Sequence, residues 1–186
     1  MDLTRIREQI NRVDRQMEEL FLERMACAAQ VAESKRHTQK KVYAPEREQE
    51  ILMRFGRETD GLNEERRAFF RQMMGISRAY QYARLAEGNG LLEALPEGKG
   101  EAALKFSCKI EDGLFTAALN SVLMSGLCVA EMEAKQSRGD KCGGRLILTG
   151  DFSAAPARAA VAQILEELNG ELVWVKEAAM QASDRV

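Results

Sequence analysis

Four polar residues sit where apolar ones are due. In the N-terminal stretch Leu3, Ile6, Ile10, Val13, Met17 and Leu20 follow a 3,4 spacing, the ladder of one helix face. Continued, that ladder calls for an apolar residue at 24 and finds Arg24, then Cys27, Val31 and Ser34, with Lys35 beside the last. Arg24 and Lys35 are eleven residues apart, which at about 100° per residue leaves them about 20° apart on one face. Their Cα atoms would stand about 16 Å apart, and two long cations across such a gap could hold a small dianion. A second stripe, Phe70, Met73, Met74, Ser77 and Tyr80, carries Ser77 and Gln81 as an i,i+4 pair. Two cations, a hydroxyl and an amide thus face an interior, where burial without a partner is costly. The same spacing also suits cations that reach solvent or pair with Glu23, Glu33 or Glu48. It suits equally a polar seam residue that fixes register.

The elements that would position these groups are helical. Residues 2–86 hold one proline, Pro45, and few β-branched residues. The pattern predicts helices at about 3–37, 45–57 and 63–86. Pro45 stands in the first turn of the second, Gly56 and residues 59–61 break it, and Asn63 caps the third. The first helix would span about 50 Å, too long for a lone 86-residue unit to cover one face, so a dimer is expected. Arg7 lies about 25 Å and about 100° from Arg24. It cannot share the same pocket within one chain, but it could reach a partner's.

Residues 87–100, EGNGLLEALPEGKG, read as a linker. Beyond them the pattern predicts a strand at 103–110, a helix at 113–125 and a strand at 127–136. A hairpin turn at 139–144, a strand at 145–148, a helix at 155–168 capped by Ser153, and a strand at 171–176 follow. The order is βαββαβ, a ferredoxin-like α+β arrangement. The domains are thus 1–86, a linker at 87–100, and 101–178.

Composition narrows the function. The 186 residues have a formal net charge of -2, which argues against a nucleic-acid partner. Residues 1–86 carry 17 Lys/Arg against 14 Asp/Glu, while 87–186 carry 10 against 15. So small a basic excess fits an anionic small molecule better than a polyanion. Cys27, Cys108, Cys128 and Cys142 form no C-x-x-C pair, and His37 is the single histidine, best read as solvated at a helix end. Zinc is therefore not expected; reduced, mostly buried thiols in a cytoplasmic protein are. The first residues are too polar for a signal peptide. No window approaches the roughly 18 apolar residues of a membrane span. GDKCGG reads as a turn, not a phosphate loop, since no helix follows it.

IREQINRVDRQMEELFLERMACAAQVAESK, then VYAPERE, then ISRAYQ, resembles the all-helical chorismate mutases, especially the domain that opens bifunctional mutase–dehydratase proteins. The resemblance covers about 85 residues. It implies an intertwined homodimer of three-helix chains that converts chorismate to prephenate with no cofactor and no metal. Carried over, Arg7 comes from the partner chain and binds one carboxylate, and Arg24 binds a carboxylate within its own chain. Lys35 and Gln81 hydrogen-bond the ether oxygen, Arg47 supports the polar end, Glu48 takes the ring hydroxyl, and Ser77 contacts the ring carboxylate. Family members often carry an acidic residue where this chain has Ala44. The second half, through FSCKIEDGLFTAAL and VAEMEAKQS, is similar to ACT domains, which sense amino acids. Gly113, Leu114, Phe115 and Glu133 are the implied effector-binding residues, and an aromatic amino acid the implied effector. The effector loop reads Gly-Leu-Phe where the family has Gly-Ala-Leu. No dehydratase domain lies between the halves. A dimeric amino-acid sensor built on a weakened mutase is the alternative, and a purely structural helical dimer the third.

Overall fold

The computed structural model describes residues 2–38, 40–54, 61–86, 92–109, 113–136 and 139–177. Three helices come first: α1 (Leu3–Thr38), α2 (Pro45–Arg54) and α3 (Asn63–Leu85). α1 closes on Lys35 and Arg36, cations that suit the negative end of its dipole, with His37 after them. His37 is exposed, 3.1 Å from Glu33, as expected of a solvated helix end. α2 opens on Pro45 with Glu46 and Glu48 in its first turn, the favourable arrangement at a helix N-terminus. α3 packs against α1, α2 and two later helices. A Cβ on its Gly75 would meet the Ala117 Cβ at 3.0 Å, so glycine permits that close crossing.

The second half runs β1 (Lys99–Lys109), α4 (Leu114–Met124), β2 (Cys128–Gln136), β3 (Lys141–Asp151), α5 (Ala155–Glu167) and β4 (Glu171–Glu177). The observed order is βαββαβ. The four strands form one antiparallel sheet in the order β2-β3-β1-β4. β1 alternates, turning Ala102, Leu104, Phe106 and Cys108 into the core. Against that face lie Val122, Phe152, Val161, Ile164 and Leu168, all fully buried. Helices α4 and α5 also pack on α3, so the two halves share an extended interface.

Several sequence expectations shift. The segment read as a linker is anchored: Leu92 and Leu95 are buried in the core, Arg158 donates to the Leu92 carbonyl at 2.6 Å, and 99–100 already belong to β1. β3 starts at Lys141, so Cys142, Gly143 and Gly144 pair with Cys108, Ser107 and Phe106 instead of turning. Gly144 must be glycine there, because a Cβ would run into the Glu133 carbonyl. Ser153 does not cap α5; it bonds to Asp151, and Ala154 holds the cap position. Leu62, not Asn63, precedes the first turn of α3. Of the four cysteines only Cys108 is buried; Cys142 is half-buried, and Cys27 and Cys128 are exposed. The predicted breaker at Gly56 and residues 59–60, the end of the second predicted helix at 55–57, linker positions 87–91, Ile110 and residue 178 lie outside the described residues.

Candidate active site

The polar residues of the two stripes meet. α1 and α3 pack side by side, and α2 closes one end. Between them is a cavity of about 530 Å³ lined by Arg24, Lys35, Arg47, Glu48, Ser77 and Gln81, with Val31, Val42, Ala44 and Met74 among its apolar walls. Six of the seven residues expected from the sequence therefore share one cavity. Arg7 does not: it is exposed near the start of α1 and is not among the residues that line the cavity.

Ser77 is buried and accepts a hydrogen bond from Arg24, whose guanidinium also lies 3.5 Å from the Met73 carbonyl. Ser77 donates in turn to that carbonyl at 2.9 Å, a local bond open to a helical serine. Burial lowers the Arg24 pKa, opposed by the charges of Glu48 and Cys27; an arginine stays cationic all the same. Lys35 donates to the Val42 carbonyl. Burial pulls its pKa below the ordinary lysine value, while Glu166 and Glu48 pull it back up and Arg78 adds to the fall. Gln81 is buried and gives one N–H to the Ser77 carbonyl at 3.2 Å. Its second N–H is left to donate, and its Oε1 has no partner among the described residues. Arg47 is exposed and pairs with Glu50 at 2.9 Å, so its charge sits at the rim. Ala44 contributes no polar atom to the wall.

The sequence reading missed Arg78. It is only 4% exposed, lines the cavity, and pairs with Glu48 and with Glu167 of α5, the latter at 2.7 Å. Its ring-facing side also covers Tyr43, 5.2 Å from the ring centre. Burial alone would lower its pKa, but Glu167 and Glu48 together raise it. Arg78 follows Ser77 in the chain, so it stands about 100° off the stripe and reads as surface. Its buried partner is 89 residues away, where no local pattern points to it.

None of the residues implied for an effector lines this cavity, although Gly113 lines a neighbouring one with Glu48 and Arg78. Gly113, in the left-handed conformation (φ 68°), caps α4 close to Arg71. Leu114 is buried, and Phe115 stacks on Phe106 at 4.9 Å. Glu133 is on the outer strand β2, opposite Arg145, exposed and paired with Lys135 at 2.6 Å.

What the cavity offers is a set of donors and cations fixed by packing, with an apolar floor and one carboxylate. That suits a small anion carrying a hydroxyl, and it suits stabilising negative charge on an oxygen. Among the described residues no cluster of three or more His, Cys, Asp or Glu could hold a metal ion. No helix among them is long and apolar enough to cross a membrane.

Comparison with known families agrees with the cavity. Residues 6–82 match the model of chorismate mutase type II. That stretch is a chorismate mutase type II domain, and it brings to the chain the activity of an isomerase. No curated protein and no solved structure matches the chain.

Proposed function

We propose that the cavity rearranges chorismate to prephenate in the route to phenylalanine and tyrosine, in a homodimer where Arg7 arrives from the partner chain. The observation that carries the reading is the convergence of Arg24, Lys35, Ser77 and Gln81 from two helices on one cavity. The reaction is pericyclic and needs neither nucleophile nor cofactor. It needs a flexible dianion held in a chair-like, near-attack shape. Arg24 and the partner-borne Arg7 serve that end through bidentate carboxylate contacts. Ser77 adds a contact to the ring carboxylate, Glu48 accepts from the ring hydroxyl, and Arg47 supports the polar end. As the C–O bond breaks, negative charge grows on the ether oxygen. Lys35 and the second N–H of Gln81 are the donors for it.

The exposed stripe of α1 supports the dimer. Leu3 is 66% exposed and Leu20 64%, with Ile10, Val13 and Met17 between them. So long an apolar face is unlike a monomer's scattered surface hydrophobes and fits an obligate contact. The βαββαβ order supports an ACT-like domain at 101–178 behind a segment at 87–100, the mutase domain being 1–86. On that reading an aromatic amino acid acts through Gly113, Leu114, Phe115 and Glu133 and changes the mutase rate. Kinetics that stay flat across millimolar phenylalanine, tyrosine and tryptophan would remove the regulatory part. A second reading, a dimeric sensor with weakened turnover, draws on Ala44, which leaves the hydroxyl end of the cavity one acceptor short.

The direct test follows the loss of chorismate absorbance. Purified protein is expected to turn over chorismate, and Lys35→Ala to lower kcat by roughly 10²–10³-fold, as losing one donor to a developing oxyanion does. Turnover no greater than that of Arg24→Ala and Lys35→Ala would overturn the mutase reading. Tight binding of an amino acid without turnover would favour the sensor.

A further inference from the structure

The last two residues of α5, Glu166 and Glu167, lie in the sheet half, and their placement is costly. Carboxylates at a helix C-terminus face the negative end of its dipole, and α5 has no basic residue in its last turn to offset them. Glu167 is also buried, and its burial pushes the carboxyl pKa up, against the pull of Arg78 and Gln163. A charge there needs a partner, and the partners lie across the interface, in the walls of the mutase cavity.

Glu167 Oε1 accepts from Arg78 Nε at 2.7 Å, and its Oε2 from Gln163 at 3.0 Å. The same guanidinium donates through Nη1 to Glu48. Glu166 Oε1 accepts from the backbone N–H groups of Val42 at 2.9 Å and Tyr43 at 3.3 Å. The carbonyl of that same Val42 accepts from Lys35. Two consecutive carboxylates therefore hold two walls of the cavity, one through a guanidinium and one through loop backbone.

We infer that α5 is part of the mutase site, with Glu166 positioning Lys35 and Glu167, through Arg78, positioning Glu48. The kinetic consequences rest on the mutase reading; the positioning itself does not. The two arms act differently. Lys35 meets charge that grows only in the transition state, so the Glu166 arm acts on kcat. Glu48 grips a hydroxyl present in ground and transition states alike, so the Glu167–Arg78 arm acts on KM. Lys35 faces Glu166 from α5, Glu48 from α2 and Arg78 from α3. Taking away the Glu166 charge removes a support for protonated Lys35. Its pKa then falls further, and activity that needs the cation is lost at a lower pH on the alkaline side.

The experiment uses the whole chain and the variants Glu166→Gln, Glu167→Gln, Arg78→Met and Arg78→Lys, with the exposed Glu171→Gln as control. It reads kcat, KM for chorismate, the pH profile of kcat, thermal melting, and the titration of the Lys35 amine by NMR with labelled lysine. Glu166→Gln is expected to lower kcat about tenfold, the equivalent of one pKa-sized step in free energy. Both the alkaline limb and the Lys35 titration move to lower pH. Glu167→Gln and Arg78→Met raise KM about tenfold at near-constant kcat, Arg78→Lys recovers part of the loss, and Glu171→Gln changes nothing. Wild-type kcat and KM in Glu166→Gln and Glu167→Gln with an unmoved Lys35 titration overturn the inference. So do losses that merely track melting temperature with no recovery in Arg78→Lys. If the unaltered protein leaves chorismate untouched while Glu166→Gln still shifts the Lys35 titration, the mutase reading falls and the positioning stands.

Discussion

The two halves solve the problem of a core in opposite ways. In the sheet half α5 buries Ala157, Ala159, Ala160, Val161, Ala162 and Ile164 among α3, α4 and the sheet, all within one chain. In the helical half α1, 36 residues long, buries only Ala28 and Ala32, and α2 buries nothing. The sheet half is covered within the chain, by α4 and α5 over the sheet and by α3 over those two helices. The helical half is covered by other things: the C-terminal part of α1 by α3, and α3 by α4 and α5. The first twenty residues of α1 are exposed among the described residues, apart from the half-buried Ile6. Where the helical half is buried, it buries polar groups as well as apolar ones: Ser77, Arg78 and Gln81. A core kept partly polar and completed from outside is poor economy for stability. It is what a binding cavity requires, because a fully apolar, self-covered bundle has no donors left for a ligand.

The sharpest way to break this contrast is to ask whether the helical half is completed by a second copy. Arg7→Ala and Arg24→Ala chains should each be nearly inactive. Mixed after co-refolding, they should regain about one quarter of wild-type turnover, since half the dimers then carry one intact site of two under twofold exchange. Chorismate assays on the mixture measure this. A mixture as inactive as its parents would show that Arg7 does not cross between chains.

The sheet half should instead answer as an ordinary core. Leu104 is fully buried in β1, so Leu104→Ala should cost about 2–5 kcal/mol of stability. Urea denaturation measures the loss, and sedimentation should show no change in oligomeric state. A shift of oligomeric state in this variant would mean that damage to the sheet core reaches the exposed face of α1.

The smallest effect sharpens the contrast inside the cavity. Ala44→Asp restores an acceptor beside Pro45, at the start of α2, where an aspartate also suits the helix N-terminus. One hydrogen bond is worth about 0.5–1.5 kcal/mol, so KM for chorismate should fall by a factor of about 2 to 12. An unchanged or higher KM would mean that the hydroxyl end is already satisfied by Glu48.

Much of this was legible locally. The 3,4 ladder gave α1 to within a residue of its end, because helix periodicity is a property of neighbours three and four apart. Arg24, Ser77 and Gln81 stood out because they interrupt or join apolar stripes, and all three line one cavity. The strand starts and caps were less legible. β1 and β3 begin earlier than local pattern shows because each strand is extended by its partner's ladder, from Lys99 opposite Asp151 to Lys109 opposite Lys141. The Ser153 cap failed because α5 starts one residue later, with Ala154 at the cap position, and the Ser153 hydroxyl donates back to Asp151 instead.

By itself, the sequence determined which faces are apolar, which polar residues break into them, the order of helices and strands, and the resemblance that names a substrate. Tertiary structure alone decided that Leu92 and Leu95 anchor the connecting segment and that Arg78 is buried between Glu48 and Glu167. The physical reason is range. Periodicity and capping act over a few residues, whereas a buried charge is settled by whatever opposite charge the fold brings to it, here 89 residues along the chain.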